Sequence, residues 1–481
     1  MLWLVLRFPL LPLEIFTRGT AMSGPLAVGT FFATNAGIVV CNQEARQHGI
    51  AAGMSVTAAQ ALASGLRVFA RDVTAERAAL ERVAAWALQF TPTISIAATT
   101  EVLLEVAGSL SLFGGLNRLW TDIEQKAAAM GYTTVIAGAP TPLAAQLFAR
   151  ADLSPRIRHY DALRLSLEQL PASVLELSAT SSAMLRDIGI HTLGECLKLP
   201  RDGLARRTGK ELLDQLDRAL GSVPDPRPAF TPPENFKAVL PLPAPVEKAE
   251  VLLFAARRLI TELCGLLAAT GKGAHRLEFR LSHEDGDDTR FALDLMAASR
   301  DPVHLTNVLR ERLERLALPS PAIVMTLRSG MLLPLASSSL SFLPDDREQA
   351  ASFVQLVERL RARLGQNSVQ GFDTLADHRP ECAWSTSEPG RESVTPMKWP
   401  PSARPLWLLD PPHPLPEIAE IPQYEGPLTL MTRPECIESG WWDGNDVQRE
   451  YFVACSPAQS LLWIYRENRK NSGWYLHGFF S

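Results

Sequence analysis

The sequence predicts an α+β protein built from several domains. Segments with strand and helix patterns alternate along residues 1–165 and again along residues 236–345. Two proline-rich stretches interrupt the chain, because residues 224–233 contain five prolines and residues 396–427 contain ten. At about 100–200 residues per domain, a chain of 481 residues has room for several such units.

The composition excludes several classes of protein. Hydrophobic residues make up 46% of the chain and charged residues 21%, which is enough for packed cores and argues against wholesale disorder. The net charge of −5 excludes a strongly basic nucleic-acid coat protein, although local basic patches can still bind nucleic acid. The six cysteines form no CxxC pair or Cys/His cluster, so we expect reduced thiols and a cytoplasmic location.

The apolar start of the chain reads MLWLVLRFPLLPLEIF. Arg7 and two prolines interrupt it, and no apolar run approaches the ~18 residues that a membrane span requires. We therefore expect no membrane association and interpret residues 2–6 as a buried first strand.

Residues 1–165 predict a ferredoxin-like sheet. Helical spacing at 75–89 and 142–151 alternates with apolar strand patterns at 2–6, 101–106 and 133–137. The order strand–helix–strand–strand–helix–strand is typical of a split βαβ arrangement. Residues 24–70, rich in small side chains, form an insertion with short helices.

Residues 166–223 predict short helices separated by glycine turns. Gly189 and Gly203 are each placed between two short amphipathic helices, which is the pattern of a helix–hairpin–helix element. The amides of such a turn can hold a DNA phosphate without reading a base. The alternative is an ordinary helical subdomain with glycine caps. The prolines of residues 224–235 then indicate a semi-rigid linker.

Residues 236–345 predict a second α+β unit with a basic open face. Residues 276–281 and 290–295 alternate apolar and polar side chains, so Arg276, Arg280 and Arg290 point away from the core, with Arg328 as a further candidate. Residues 236–330 contain 13 basic and 12 acidic residues, so any attraction for DNA depends on placement rather than net charge.

The end of the chain changes character. Residues 346–425 predict a charged helix followed by an extended proline-rich tether. Residues 426–481 alternate aromatic and polar residues, which predicts a small antiparallel β domain. Four of its tryptophans are candidates for partner binding: Trp441, Trp442, Trp463 and Trp474. Trp441 and Trp442 could equally stabilise a small domain that has few other core residues.

The order of these segments resembles the Y-family translesion DNA polymerases. Residues 24–29 and 44–62 resemble the fingers, including the Ala45, Arg46, Gly49 and Ile50 pattern, while residues 101–115 and 137–151 resemble palm segments. The resemblance implies a polymerase-like right hand: a palm at 1–165 with fingers inserted at about 20–75, a thumb at 166–223 and a little finger at 236–345.

The residues that differ from the family pattern bear on function. The family holds two metal ions with two aspartates and a glutamate in the palm. Here Arg7 and Thr100 stand at the aspartate positions and only Glu101 remains. An arginine beside such a site would repel the cations. The pattern therefore implies a protein that is not an enzyme and has no metal or other cofactor.

This pattern is similar to the ImuB branch of the family, the polymerase-like subunits of bacterial mutasomes. The tail segments ESGWWDG, LLWIYRE and WYLHGFF carry the most specific similarity. The resemblance implies a DNA-binding adaptor for damage-induced mutagenesis. Its partners would be the β sliding clamp, a RecA-like protein of the ImuA type and an error-prone C-family polymerase.

Two rival functions stay open from the sequence. One is an active low-fidelity polymerase that uses the substitute acids Glu14, Glu101 and Glu105. The other is an assembly protein that does not bind DNA.

A peptide after the last strand of residues 236–345 resembles clamp-binding peptides, which pair two apolar plugs with a polar anchor. It consists of Ser339, Leu340, Ser341, Phe342 and Leu343. The alternative is a final edge strand whose apolar side chains pack inward. Residues 405–409, in the proline-rich stretch, are a rival peptide for the same role.

Overall fold

The computed structural model describes residues 1–19, 22–31, 36–335, 346–390, 404–468 and 473–480, with side chains for all of these except residues 346–351. The chain forms two compact units, Met1–Pro344 and Asp345–Ser481. Both combine helices and strands, which confirms the predicted α+β multidomain class.

The first part of unit 1 contains a sheet with helices on both faces and a small insertion. Its elements are β1 (Trp3–Arg7), α1 (Leu11–Thr17), β2 (Leu26–Thr30), β3 (Gly37–Cys41), α2 (Gln43–Gln47), α3 (Val56–Leu62), β4 (Arg67–Ala70), α4 (Val73–Ala87), β5 (Ile94–Ala98), β6 (Glu101–Glu105), α5 (Leu116–Ala129), β7 (Val135–Ala139) and α6 (Pro142–Arg150).

Four strands form the sheet that we call the central sheet, in the order β5-β6-β1-β7. Neighbouring strands are antiparallel, so the predicted split βαβ arrangement is confirmed. Leu4 and Leu6 of β1 belong to a core that includes residues of α4 and α5, whereas Trp3 and Val5 belong to a second core with α6. Because both faces are covered, β1 is an almost continuous apolar run.

The insertion between α1 and α4 is a small mixed sheet in the order β3-β2-β4, in which β2 and β4 are parallel. Its core consists mainly of small and aliphatic side chains, including Ala27, Ala45 and Ala59. The Asn42 side chain caps α2 by accepting from the Ala45 amide at 2.9 Å and also accepts from the Leu26 amide at 3.0 Å. These bonds connect the helix to β2.

Five short helices follow: α7 (Tyr160–Glu168), α8 (Ala179–Asp187), α9 (Leu193–Lys198), α10 (Arg201–Thr208) and α11 (Lys210–Leu220). Gly189 lies in the turn between α8 and α9 with a φ of 77°, as predicted. The prediction for Gly203 is wrong, because Gly203 lies inside α10. Gly209, with a φ of 80°, occupies the turn between α10 and α11, a conformation that glycine adopts without strain.

The second half of unit 1 is built around another sheet. Its elements are β8 (Lys237–Val246), α12 (Leu252–Thr270), β9 (Lys272–His283), β10 (Thr289–Ser299), α13 (Pro302–Leu313), β11 (Ala322–Ser329) and β12 (Leu332–Pro334). The strand order is β10-β9-β11-β8, and β12 pairs with β9. We call this the second sheet.

Strand β8 is absent from our sequence-based prediction because it contains Pro241, Pro243 and Pro245. Proline is tolerated in an edge strand, where the missing amide hydrogen faces no neighbouring strand, and β8 is at the edge of its sheet. β8 also approaches the end of α1 closely: a side chain at Gly19 would lie 2.5 Å from the Pro241 carbonyl oxygen. A small residue is therefore required at position 19.

The described residues of unit 2 form one α-helix and a β domain. Its elements are α14 (Asp346–Leu364), β13 (Gly371–Thr374), β14 (Trp384–Ser387), β15 (Trp407–Leu415), β16 (Glu417–Ile418), β17 (Ile421–Pro422), β18 (Thr429–Leu430), β19 (Glu435–Ser439), β20 (Val447–Cys455), β21 (Leu461–Glu467) and β22 (Gly473–Phe479). The main sheet has the order β15-β22-β21-β20-β18, with β19 also paired to β20.

Strand β15 corrects the prediction that an extended tether continues to residue 425. Residues 407–415 pair with β22 and form an edge strand of the main sheet, so the β domain begins well before residue 426. The prolines at 411, 412 and 414 fit this position because an edge strand needs hydrogen bonds on one side only. The register shifts between Leu408 and His413, where the prolines interrupt the ladder.

A buried ionic cluster connects the two sheets of unit 1. Glu262 of α12 is fully buried and pairs with Arg18, which follows α1, and with Arg82 of α4 at 3.0 Å. The Arg18 side chain is 1% exposed and lies 4.6 Å from the centre of the Tyr132 ring. Burial is the largest single influence on Arg18 and lowers its pKa, but the charge and hydrogen bond of Glu262, with the charges of Tyr132 and Glu14, together raise it more, so the net shift is upward.

Glu14 of α1 belongs to the same cluster. Burial raises its pKa to about 7, although the hydrogen bonds with Thr133 and the charges of Arg18 and Arg258 act in the opposite direction. Because the folded-state pKa is the higher one, the contribution of Glu14 to stability is complete below its unfolded pKa. It is lost as the pH rises toward about 7.

We predict that Glu262→Ala lowers the free energy of unfolding of unit 1 by about 3–5 kcal/mol, because Arg18 then keeps a buried charge without its partner. Urea denaturation followed by tryptophan fluorescence measures this change. Glu81→Ala is the control, since Glu81 pairs with Arg77 on an exposed surface and such pairs contribute about 0–1 kcal/mol. Equal effects of the two substitutions would contradict a stabilising role for the cluster.

Candidate nucleic-acid interface and the acids of the central sheet

The acidic residue Glu101 begins β6, opposite Arg7 of β1. Its side chain is 3% exposed, and all of its hydrogen-bond donors come from α6. Arg150 donates through Nε at 2.8 Å and through a terminal nitrogen at 3.0 Å, and Gln146 donates at 2.6 Å. Both oxygens of the Glu101 carboxylate are therefore engaged.

Arg150 forms ion pairs with two acidic residues, Glu101 and Glu176. The distance from Arg150 to the Glu176 carboxylate is 3.0 Å. Burial lowers the pKa of Arg150, whereas the hydrogen bond and charge of Glu101, followed by the charge of Glu176, raise it more. Arg150 thus pairs with both acids beside a cleft of about 410 Å³ that lies between α6, α11 and the linker.

Arg7 is directed toward the carboxyl end of α6. It donates to Asp152 at 2.6 Å and to the Ala149 carbonyl at 3.2 Å. A cation at a helix C-terminus is favoured by the helix dipole. Arg7 therefore has a local structural role. Thr100, next to Glu101 in the chain, accepts a hydrogen bond from the Phe8 amide through its backbone carbonyl at 2.9 Å.

The other candidate acids of the central sheet do not converge on Glu101. Glu105 is four residues further along β6, a separation of about 13 Å, and accepts from the Leu2 and Ala107 amides. Glu14 accepts from the Thr133 amide at 2.8 Å. Within the described ranges, no group of three or more His, Cys, Asp or Glu residues could hold a metal ion. The donor set around Glu101 does not fit a pair of divalent cations.

The second sheet has a basic open face. Leu277, Phe279 and Phe291 are buried, and the Phe279 and Phe291 rings stack at 5.1 Å. Because strand side chains alternate, Arg276, Arg280 and Arg290 lie on the opposite side, where half or more of each side chain is exposed. This is the orientation that the sequence pattern predicts.

The structure adds Lys237 of β8 to the three arginines and to Arg328. Lys237 is opposite Arg328 in the β8–β11 pairing, and all five basic residues line one groove of about 760 Å³. We call this the basic groove. Sequence reasoning missed Lys237 because the prolines of β8 hid the strand; the lysine itself fits the same alternating pattern.

Three acidic residues pair with the arginines of the basic groove. Arg276 contacts Asp294 at 2.8 Å and Glu278 at 3.3 Å, while Asp288 lies 2.6 Å from Arg280 and 3.7 Å from Arg290. The side chains of these arginines are 50–73% exposed, so the pairs are weak and a phosphate can replace the carboxylates. The face therefore keeps a net positive charge that is suited to a phosphate backbone.

Two of the four candidate tryptophans are core residues. Trp463 is 2% exposed and Trp474 is 5% exposed, so the prediction that they contact a partner is corrected. Trp463 stacks on Tyr451 with the ring centroids 4.2 Å apart. In contrast, Trp441 is 80% exposed and Trp442 is 58% exposed. Of the four candidates, Trp441 and Trp442 are therefore the two that are exposed on the surface.

The candidate clamp peptide, residues 339–343, lies outside the described residues. The rival peptide at residues 405–409 leads into β15, where Leu406 and Trp407 are 73% and 72% exposed. The clamp-binding role of either peptide stays a prediction.

Comparisons with known proteins found one family model and two curated relatives that match this chain. A model of the impB/mucB/samB family matches residues 18–150, which span most of the central sheet and its insertion. Protein ImuB from two strains of Caulobacter vibrioides is 28% identical over 475 residues, covering 90% of this chain and 100% of the relative.

Several solved structures are similar at low identity. A Y-family DNA polymerase chimera of Dbh and Dpo4 is 19% identical with a TM-score of 0.41, and DinB from Sulfolobus solfataricus is 19% identical with a TM-score of 0.39. Each match covers 70% of this chain and 100% of the other. Among the described residues, no helix is long and apolar enough to cross a bilayer.

Residues 18–150 are thus similar to the impB/mucB/samB family. Over nine-tenths of its length the chain is similar to Protein ImuB, at 28% identity.

We predict that replacing Arg276, Arg280 and Arg290 together with alanine flattens the log–log salt dependence of duplex binding by about two to three units, at ~0.9 per lost phosphate contact. The loss of affinity should be the same for unrelated DNA sequences, because phosphate contacts carry no base information. Fluorescence anisotropy at several salt concentrations measures both quantities.

The control for this experiment replaces Arg310 and Arg315, which are exposed on and after α13. This variant should keep the wild-type salt slope. An unchanged slope in a folded triple variant would show that the basic groove does not hold DNA.

Proposed function

We propose that the protein is a non-catalytic, DNA-binding adaptor of a damage-induced, error-prone translesion synthesis complex. The observation that carries the proposal is the pairing of Glu101 with Arg150 and Gln146. This acid remains where the polymerase pattern has its catalytic carboxylates, and its oxygens are occupied by donors of the protein itself. The proposal requires no cofactor.

The neighbours of Glu101 support the same conclusion. Arg7 places a positive charge on the adjacent strand, and Thr100 supplies no carboxylate. To bind a cation, Glu101 would have to leave Arg150, which would then remain 13% exposed with Glu176 as its remaining acidic partner. Removing one partner of a buried pair is costly, so the cluster opposes metal binding.

The basic groove supports a role in DNA binding. Its five basic side chains lie on one face of the second sheet and line a single groove. Arginine and lysine on an exposed sheet can contact successive phosphates without sequence readout. The turn at Gly189 is a second candidate phosphate contact, in the helical segment.

The partners that we propose are those of the ImuB branch. They are the β sliding clamp, bound through residues 339–343, a RecA-like protein, and an error-prone C-family polymerase that performs the synthesis. The similarity to Protein ImuB across nine-tenths of the chain supports this set of partners. Trp441 and Trp442 are the exposed aromatic residues that we assign to partner binding.

The central test is primer extension. We predict that the purified protein extends a primed template no further than a control without enzyme, with Mg²⁺ or Mn²⁺. Glu101→Gln should lower stability, because the amide cannot accept hydrogen bonds at both positions of the carboxylate. At equal protein levels it should leave damage-induced mutagenesis in cells near the wild-type level, because in the proposed function no catalytic step uses this carboxylate. Glu105→Gln is the matched control on the same strand. Extension by the wild type that disappears in Glu101→Gln would identify an active polymerase with substitute acids.

A second test concerns the clamp. We predict that Leu340→Ala, Phe342→Ala and Leu343→Ala together reduce clamp affinity at least about tenfold, since each fully buried apolar side chain contributes about 1.5–3 kcal/mol. Surface plasmon resonance with immobilised clamp measures the change. If clamp binding is unchanged, the Leu406→Ala, Trp407→Ala variant tests the peptide that precedes and enters β15.

A further inference from the structure

The exposed tryptophan pair lies in a short loop of unit 2 that we call the tryptophan loop, residues 440–444. The loop connects β19 to β20 and has glycines at both ends, with φ values of 87° and 79°. The two indole rings meet edge to face with their centroids 5.6 Å apart. Exposed side chains of this size are unusual, because each tryptophan can bury about 150–250 Å².

A buried arginine fixes the conformation of this loop. Arg379, whose side chain is 5% exposed, donates to Asp443 at 2.6 and 3.2 Å and to the Asn445 carbonyl at 3.0 Å. Asp377 holds the other side of the guanidinium at 2.8 and 3.1 Å. The guanidinium also lies 5.8 Å from the centre of the Trp442 ring.

The backbone of the loop fits closely around Arg379. A side chain at Gly440 would lie 2.6 Å from an Arg379 nitrogen and 2.5 Å from the Asn445 carbonyl oxygen. The hydrogen bonds that Arg379 donates to Asp377 and then to Asp443 raise the pKa of Arg379, and those that Asp443 accepts from Arg379 lower the pKa of Asp443. The loop is thus held by a charged, multiply bonded anchor while its two indoles remain outside the core.

The surroundings of the loop are acidic. Residues 345–481 contain 19 acidic and 13 basic residues. Asp446 follows the loop and Glu438 of β19 is exposed beside it, whereas Asp443 within the loop is paired with Arg379. Negative charge around an aromatic pair repels a phosphate backbone and attracts lysine and arginine.

We propose that the tryptophan loop docks into an apolar pocket bordered by lysine or arginine on a protein partner, and that Arg379 is its positioning residue. This inference rests on the proposed adaptor function and names the chemistry of one of its partners. A rigid, pre-formed aromatic anchor loses little conformational freedom on binding, and tryptophan is enriched among residues that dominate interface energies.

The test uses the full chain and three purified probes: the sliding clamp, the RecA-like protein and the error-prone C-family polymerase. Trp441→Ala should weaken binding to one of the last two at least about 30-fold, the loss expected of an interface hot spot. Binding to that partner should weaken as salt rises, and Glu438→Gln should reduce this salt dependence.

A variant of Arg379 tests its positioning role, and a variant of the exposed Trp384 is the control. Arg379→Lys keeps the charge but loses the bidentate geometry, so it should also lower the affinity for that partner. Binding to the clamp and to duplex DNA should stay unchanged. Trp384 is 49% exposed and lies on β14, after the connection that carries Arg379. Trp384→Ala leaves Arg379 and both indoles of the tryptophan loop in place, so this variant should bind like the wild type. Circular dichroism and the thermal midpoint confirm that every variant is folded.

The outcomes separate this inference from the proposed function. If the wild type binds a partner and the folded Trp441→Ala and Arg379→Lys variants bind it equally well, the inference is overturned and the adaptor function stands. Loss of binding to single-stranded DNA instead of a protein also overturns it. If the wild type binds none of the three proteins, the adaptor function itself fails.

Discussion

The buried carboxylate of Glu262 is the constraint on which the arrangement of unit 1 depends. It lies between Arg18 and Arg82, which belong to the part of the chain that builds the central sheet, whereas Glu262 belongs to the helix behind the second sheet. A buried charge without its partner is strongly unfavourable, so these helices separate only at a large cost in free energy. Gly265, one turn further along α12, allows Trp86 to pack closely against the helix. The charge and the close packing together fix how the basic groove is presented.

A second ionic cluster determines what the central sheet can do. Glu101 stands on the strand next to Arg7, and α6 supplies Gln146 and Arg150 to its carboxylate. The charge of this carboxylate is compensated within the protein, and this ion pair is the observation on which the proposed non-catalytic function rests.

Unit 2 illustrates how tryptophan is used in two ways within one domain. Trp463 and Trp474 lie in the two cores of the β domain, where aromatic stacking compensates for its small size. Trp441 and Trp442 are held outside these cores by a loop that a buried arginine anchors. Composition alone does not distinguish the two uses, because both pairs occur in aromatic-rich segments with similar local patterns.

Local sequence patterns were enough to predict several elements of the fold. The alternation in 276–281 and 290–295 placed Arg276, Arg280 and Arg290 on the open face, since strand geometry fixes which side a residue takes. The strand–helix order of residues 1–151 likewise determined the topology of the central sheet. Gly189 was found by its turn pattern, but Gly203 was not in a turn, because the local pattern did not specify which of two nearby glycines ends the helix.

Other features depend on residues that are far apart in the sequence. The pairing of Glu101 with Arg150 spans 49 positions, that of Arg18 with Glu262 spans 244, and that of Arg379 with Asp443 spans 64. Strands β8 and β15 contain prolines that argue against a strand in isolation, and each is stabilised by its position at the edge of a sheet. An edge position, burial and an ion pair are properties of the assembled chain, so no local sequence pattern records them.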